Sequence, residues 1–341
     1  MHYKLALLGF GNVGRTTAEL LLDKQTDLKE SYGITFSITA IATGSKGRAI
    51  NPAGLDIPKV LEATRAGAAL EQFSLVSSSD SLDFINKSGA DVLFENSPVN
   101  YATGQPAIDH IRAALNLGMH VVTANKGPVV HAWHDLKALA KSKQRQFFHE
   151  ATVMDGAPIF SLFRGALPAA KLRSFKAILN STTNLILSRM ENGESFDDSV
   201  KYAQEIGIAE TDPAGDVDGW DAAIKIAALA TVLMNTPLKP AEIERTGIRS
   251  ITPEMIRAAR TEGLRYKLIC SAAQEQGVLK GKVSPELIPM SSPFYSVEGT
   301  TSIIQFQTDV LGDLTLIESD PGPHTTAYGL LADFVHAVTA G

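Results

Sequence analysis

Leu5-Ala6-Leu7-Leu8-Gly9-Phe10-Gly11-Asn12-Val13-Gly14-Arg15 decides how this chain begins to fold. Four consecutive apolar residues read as a parallel strand buried on both faces. Three glycines follow at GxGxxG spacing, and residues 16–24 continue as a helix. A glycine triplet alone says little. Between a strand and a helix it is the dinucleotide-binding fingerprint. The glycines permit a tight turn, a close approach of backbone to pyrophosphate, and close packing of helix on strand. The pyrophosphate then lies on a helix N-terminus, where unpaired N–H groups favour an anion. Gly9, Phe10, Gly11, Asn12, Val13 and Gly14 are therefore cofactor-binding candidates.

Working outward, residues 35–42 read as a second strand. An NAD-specific fold closes that strand with a carboxylate for the ribose 2′-hydroxyl. This chain has Thr43-Gly44-Ser45-Lys46-Gly47-Arg48 there. Thr43, Ser45, Lys46 and Arg48 can bind a 2′-phosphate that a carboxylate would repel. NADP(H) is favoured, with NAD(H) open. Strands at 90–94, 120–123 and 146–149 alternate with helices at 105–117 and 132–142. The loops after the first two of these strands carry Ser97 and Lys126, and ligands of doubly wound sheets bind at such strand ends. Residues 1–150 thus read as a Rossmann-type, doubly wound parallel sheet.

The pattern then changes. Residues 151–318 read as an α+β domain with a mostly antiparallel sheet, its strands expected at 175–179, 248–251, 264–273, 276–283, 295–299, 303–308 and 314–318. Residues 319–341 read as a turn and helix returning to the nucleotide domain. Within the second domain, Asn180-Ser181-Thr182-Thr183-Asn184 forms a hydroxyl- and amide-rich turn. Further on, Gly207-Ile208-Ala209-Glu210-Thr211-Asp212-Pro213-Ala214-Gly215-Asp216-Val217-Asp218-Gly219-Trp220-Asp221 packs five carboxylates before an apolar helix at 222–234. Asp218 reads as the N-cap of that helix. Asp221 and Lys225 lie one turn apart on one face. Such pairs are ordinary helix stabilisers. In a nicotinamide enzyme, however, a desolvated lysine with a lowered pKa is also a proton-transfer group. The carboxylates suit a substrate that carries an ammonium group.

Composition bounds the remaining choices. The 341 residues are 44% hydrophobic and 20% charged, which describes a globular chain of two domains. A net charge of −6 argues against nucleic-acid or anionic-membrane partners. No apolar run is long enough for a membrane span, and nothing resembles a signal peptide. One cysteine, Cys270, fits the reducing cytoplasm and reads as core. The eight histidines show no metal-ligand spacing.

Taken together, the fingerprint, Ala124-Asn125-Lys126, Glu150-Ala151-Thr152-Val153, Asn180-Ser181-Thr182-Thr183-Asn184, the 207–225 stretch and Gly322-Pro323 resemble homoserine dehydrogenase along nearly the whole chain. The resemblance implies NAD(P)-dependent interconversion of L-homoserine and L-aspartate 4-semialdehyde, in a form lacking the C-terminal ACT regulatory domain, and a homodimer. It assigns Lys225 as proton donor and acceptor and Lys126 as a second active-site lysine that also contacts the cofactor. Glu210 and Asp221 become substrate ligands, and Gly207 and Gly322 lie near the cofactor; Asp216, balanced between ligand and scaffold, and Thr182 join the substrate-binding candidates. It further implies a structural monovalent cation, sodium or potassium, at Glu150, Val153, Asp155 and Ala157, held largely through backbone carbonyls. Two departures stand out: Ser181 replaces a common glycine, and Met154-Asp155 stand where small residues are usual. They keep open a dehydrogenase of another amino-acid-derived alcohol or aldehyde. A noncatalytic NADP(H)-binding protein is the alternative from a different class.

Overall fold

The computed structural model describes residues 1–340 and divides into two units, Met1–Pro158 with Gly322–Gly341, and Ile159–Pro321. In the first unit, β1 (His2–Leu8) leads into α1 (Asn12–Asp23) and α2 (Gln25–Tyr32), then β2 (Thr35–Thr43) and β3 (Gly47–Ile50). There follow α3 (Ile57–Arg65), α4 (Ser81–Lys87), β4 (Val92–Glu95), α5 (Ala107–Asn116), β5 (His120–Thr123), α6 (Lys126–Ser142) and β6 (Phe147–Phe148). The sheet order is β3-β2-β1-β4-β5-β6. All pairings are parallel except β2 with β3. The order reverses between β1 and β4, where Leu8 pairs with Glu95, so the turns after these two strands face the crevice in which such sheets bind ligands.

The antiparallel β3 folds the residues that follow β2 back onto it. Thr43 pairs with Gly47, so this segment is a hairpin whose tip is Gly44-Ser45-Lys46. The apolar strands make the core: Leu5, Leu7, Phe94 and Val122 are buried together with Leu330 and Phe334 of α13 (Pro323–Thr339). That last helix packs along α1, and its Phe334 ring lies 5.9 Å from Phe94 and 6.1 Å from Tyr3.

The second unit starts with the single-turn α7 (Ile159–Ser161) and β7 (Leu172–Ile178), followed by α8 (Ser181–Glu191), α9 (Phe196–Glu205), α10 (Ala214–Val217) and α11 (Trp220–Leu233). Then come β8 (Glu244–Arg245), α12 (Pro253–Thr261), β9 (Leu264–Glu275), β10 (Val278–Pro289), β11 (Ser302–Thr308) and β12 (Asp313–Glu318). The sheet order is β12-β11-β7-β9-β10-β8, and only β8 with β10 is parallel. Two expected strands are absent: Ile248 and Ile251 are buried in a turn before α12, and the 295–299 segment is a loop.

Register sorts the faces of this sheet. Ile304, Ala177, Cys270 and Val283 form one buried row beneath α11. The neighbouring row of Thr315, Gln305, Lys176, Ser271 and Lys282 is half-exposed or exposed. Helix α11 is apolar around most of its circumference, as a buried helix must be, and Asp221 and Lys225 are the only charged residues it carries. No helix among the described residues is long and apolar enough to cross a membrane.

Candidate active site

The nucleotide half of the site is made mostly of backbone. Gly9 has φ +102, a conformation open to glycine, and a Cβ there would lie 2.1 Å from the Asn96 carbonyl oxygen. A Cβ on Gly14 would lie 2.1 Å from the Gly9 oxygen, whereas one on Gly11 would meet nothing within 4 Å. Two glycines therefore close the turn on itself and against the β4 loop. The third leaves open space over the N-terminus of α1, which is the cradle a pyrophosphate requires. Phe10 is 2% exposed and belongs to the core, so it can serve a nucleotide only through its backbone.

Beside this cradle lies a cavity of about 430 Å³, walled by the Gly9–Gly11 backbone, Arg15, the Thr43–Lys46 hairpin tip, Thr64, Asn96 and Pro98. Thr43 Oγ1 accepts from the N–H groups of Ser45 and Lys46, both at 3.1 Å, and so shapes the tip. Lys46 donates to the Thr64 carbonyl at 2.8 Å. Arg48 is a correction. On β3 its guanidinium turns away and donates to Ser78 Oγ at 3.2 Å and to the carbonyls of Ser78 and Ser79 at 3.2 and 2.8 Å. The second cation on the cavity is Arg15, held by Asn12 Oδ1 at 2.7 Å. Arg15 closes the fingerprint in the sequence, where nothing local marks it as a cofactor contact.

A buried network joins the turns after β4 and β5. Glu95, fully buried, accepts from the backbone N–H of Ser97 at 3.2 Å and from the Ser97 hydroxyl. Thr123 Oγ1 donates to the Glu95 carbonyl at 2.7 Å, and Asn125 Nδ2 donates to the Ser97 carbonyl at 3.0 Å. Asn125 also caps α6 by accepting from Gly127 N at 3.0 Å. Lys126 is thereby placed at the first position of a helix, where the dipole disfavours a cation. Helix stability does not explain a lysine there. At the other end of this unit, Gly322 is extended and precedes α13. Between Glu150 and Ala157 the chain turns through Met154 and Asp155 at φ +52 and +48, Glu150 N–H donates to Asp333 Oδ2 at 2.6 Å, and the Asp155 carboxylate accepts from Thr325 Oγ1 at 3.0 Å.

In the second unit, Asn180 is the hub. As N-cap of α8, its Oδ1 accepts from Thr183 N at 2.9 Å, which fixes the amide. Its Nδ2 then donates to Asp216 Oδ1 at 2.7 Å and to Asp221 Oδ2 at 3.0 Å. Lys225 Nζ lies 2.8 Å from Asp221 Oδ2 and donates to the Leu179 carbonyl at 2.6 Å. Burial raises the Asp216 carboxyl above its ordinary range, the nearby Asp221 charge adds to this, and the Asn180, Lys225 and Thr182 contacts oppose it. Four polar groups from three helices thus meet at the end of β7. The Cys270 thiol is fully buried, and burial pushes it up to about 12, so it is inert core.

The remaining expectations fall differently. Glu210 is exposed, and Gln204 Nε2 holds only its carbonyl, at 3.2 Å. Gly207, at φ +76, ends α9 with no neighbour that a Cβ would touch. Asp218 does not cap α11. The cap position is Gly219 at φ +80, and the Asp218 carboxylate pairs with Arg249. Asp212 accepts from Ala214 N at 3.0 Å, closing the turn that leads into the short α10, whose cap position is Pro213. The sequence signal for Asn180 was its place immediately before a helix, which marks a cap and gives no hint of two distant carboxylates.

A strand–turn–helix cradle of this kind defines the class: an NAD(P)-dependent dehydrogenase, with a lysine set among carboxylates in its second unit. Known proteins narrow the class. The model of the homoserine dehydrogenase NAD-binding domain matches residues 9–150, and that of homoserine dehydrogenase matches residues 158–335. An NAD(+)-dependent homoserine dehydrogenase of Pseudomonas canavaninivorans is 34% identical over 98% of this chain and 96% of its own. A homoserine dehydrogenase of Methanocaldococcus jannaschii is 37% identical over 97% of both chains. The structure of a hyperthermophilic archaeal homoserine dehydrogenase in complex with NADPH superposes with a TM-score of 0.84 at 27% identity, covering 100% of this chain and 99% of that one. The chain belongs to the homoserine dehydrogenase family.

Proposed function

We propose that this homoserine dehydrogenase, which interconverts L-homoserine and L-aspartate 4-semialdehyde, moves the proton of the reaction through Lys225. The observation that carries this reading is the Asn180–Asp216–Asp221–Lys225 cluster. When bound, the nicotinamide cofactor would supply the hydride chemistry at the carbon that alternates between alcohol and aldehyde. In reduction, Lys225 gives its proton to the oxygen that becomes the hydroxyl. In oxidation it takes that proton back, and the Leu179 carbonyl and Asp221 carboxylate stabilise the resulting ammonium. Asp221, Asp216, Thr182 and Glu210 offer acceptors to the substrate ammonium, and Lys126 offers a donor to substrate and nicotinamide.

NADP(H) is the favoured cofactor, because the cavity beside the cradle is lined by two cations and three hydroxyls and by no carboxylate. The NADPH in the archaeal relative supports this choice. Glu150, Val153, Asp155 and Ala157 would hold a structural monovalent cation, largely through backbone carbonyls, in a turn where Met154 and Asp155 are left-handed. The protein acts in the cytoplasm as a homodimer. The open row on the second sheet, from Thr315 to Lys282, is the surface a second copy would cover.

Assay of the purified protein with L-homoserine and each oxidised nucleotide tests the reading. Reduction of NADP(+) in preference to NAD(+) is expected. Turnover with another amino-acid-derived alcohol and none with homoserine would overturn it.

A further inference from the structure

The cavity beside the glycine turn carries more recognition chemistry than the pyrophosphate needs. Its floor is the backbone of Gly9 to Gly11, where the Gly9 N–H is held by the Ala42 carbonyl at 3.0 Å. Its far wall is the hairpin tip, which presents the Ser45 hydroxyl and Lys46. Between them stands Arg15, on the first turn of α1. Neither cation is spent on a carboxylate. Lys46 donates to the Thr64 carbonyl, and Arg15 donates one of its five N–H groups to Asn12 Oδ1. These neutral acceptors orient the two side chains without neutralising them. Arg48, which sequence position alone makes the natural partner of Lys46, is engaged by Ser78 and Ser79.

We infer that Arg15 and Lys46 together form the subsite that selects a ribose 2′-phosphate, and that Arg15 is the specificity-determining residue the hairpin alone cannot supply. The inference rests on the NADP(H) reading of the site. The chemistry fits. A phosphate monoester carries a charge of about −1.5 to −2 at neutral pH, more than one lysine neutralises. A guanidinium offers two parallel N–H donors to such a group where an ammonium offers a point charge. Placing the arginine on α1 and the lysine on the hairpin brings the two charges from different elements, so the subsite also measures the distance of the phosphate from the pyrophosphate cradle. An unphosphorylated ribose would leave both cations facing only water and neutral acceptors.

Calorimetric titration of the whole protein with 2′,5′-ADP and with 5′-ADP separates the inference from the reading beneath it. The unaltered protein should bind 2′,5′-ADP more tightly, by about tenfold or more. Arg15→Gln should weaken 2′,5′-ADP by about tenfold to a hundredfold and leave 5′-ADP within about twofold. Arg15→Lys should restore part of the loss, and Arg48→Gln should change neither nucleotide. If the unaltered protein binds the two nucleotides equally, the NADP(H) reading itself fails. If it prefers 2′,5′-ADP and Arg15→Gln keeps that preference, or weakens both nucleotides alike, the NADP(H) reading stands and the role of Arg15 is overturned. Loss of selectivity in Arg48→Gln would overturn the assignment of the second cation. Far-UV circular dichroism of each variant excludes misfolding as the source of a loss.

Discussion

The turn at Gly9–Gly14 and the stretch from Asp216 to Lys225 do opposite things with similar punctuation. In the first, side chains are removed so that backbone can approach backbone and leave an open cradle. In the second, Gly219 bends the chain so that side chains can converge: two carboxylates, a lysine and an asparagine from 36 to 41 residues away. The first depends on shape and tolerates almost any neighbour that leaves the turn alone. The second depends on a balance of buried charge, and one amide holds it together. The two regions should therefore fail in different ways when altered.

The largest effect should come from the second region. Lys225→Ala should lower turnover by about a thousandfold, the scale of a lost acid–base group, while NADPH binding followed by fluorescence stays unchanged. Comparable loss of cofactor binding would erase the distinction between the two regions. In the first region, Gly9→Ala places a methyl against the Asn96 carbonyl at a left-handed backbone position and should cost about 4 kcal/mol of stability together with cofactor binding. Gly11→Ala should change stability by no more than about 0.5 kcal/mol and still weaken the cofactor, since its methyl enters only the open cradle. Denaturant melts with and without NADPH read both outcomes.

Asn180→Ala should be intermediate. It strips a donor from two buried carboxylates and uncaps α8, for a cost of about 2–4 kcal/mol. The KM for homoserine should rise while NADPH affinity holds. The smallest effect sharpens the electrostatic part of the comparison. Because the Asp216 carboxyl is raised, the native protein keeps that proton to higher pH than the unfolded chain does. Stability therefore falls as pH rises through the interval between the two values. Asp216→Asn removes this loss: the variant should melt higher than its parent at neutral pH, and the advantage should vanish in acid, where both side chains are neutral. An advantage that persists in acid would mean that packing, and not charge, distinguishes them.

A second buried lysine sets the limits of such reasoning. Lys267 on β9 is fully buried, and burial pushes it down to about 8. It donates to Asn184 Oδ1 at 3.2 Å and to the Val297 carbonyl at 2.5 Å, pinning the loop before β11. Desolvation and a perturbed pKa are thus not peculiar to the site. What separates Lys225 is its direct ion pair with Asp221 at 2.8 Å and its place at the helix start after an acidic turn.

Much of the first unit was legible because its signals are local. A strand, a glycine turn and a helix lie between His2 and Asp23, and Gly9 and Gly14 answer to contacts with the β4 strand end and with the turn itself. The cap of α9 is a local signal of the same kind: Ser195 accepts from Asp198 N–H, and its hydroxyl donates to the Asp198 carboxylate at 2.6 Å. The strand expected at 248–251 was misread because a short apolar run reads alike whether it enters a sheet or is buried in a turn. The cap assigned to Asp218 failed because Arg249, 31 residues on, competes for the carboxylate.

The sequence by itself determined the class of fold, the nucleotide cradle and the residue types of the second site, since these follow from spacing along one element or one turn. Only the tertiary structure decided that Arg15 and not Arg48 faces the cavity, that Asn180 joins Asp216 to Asp221, and that Glu210 is exposed while those two carboxylates are drawn inward. The reason is geometric. A hairpin tip and a helix cap determine side-chain direction only once their neighbours are packed, and hydrogen bonds between residues dozens of positions apart leave no periodic trace in the chain.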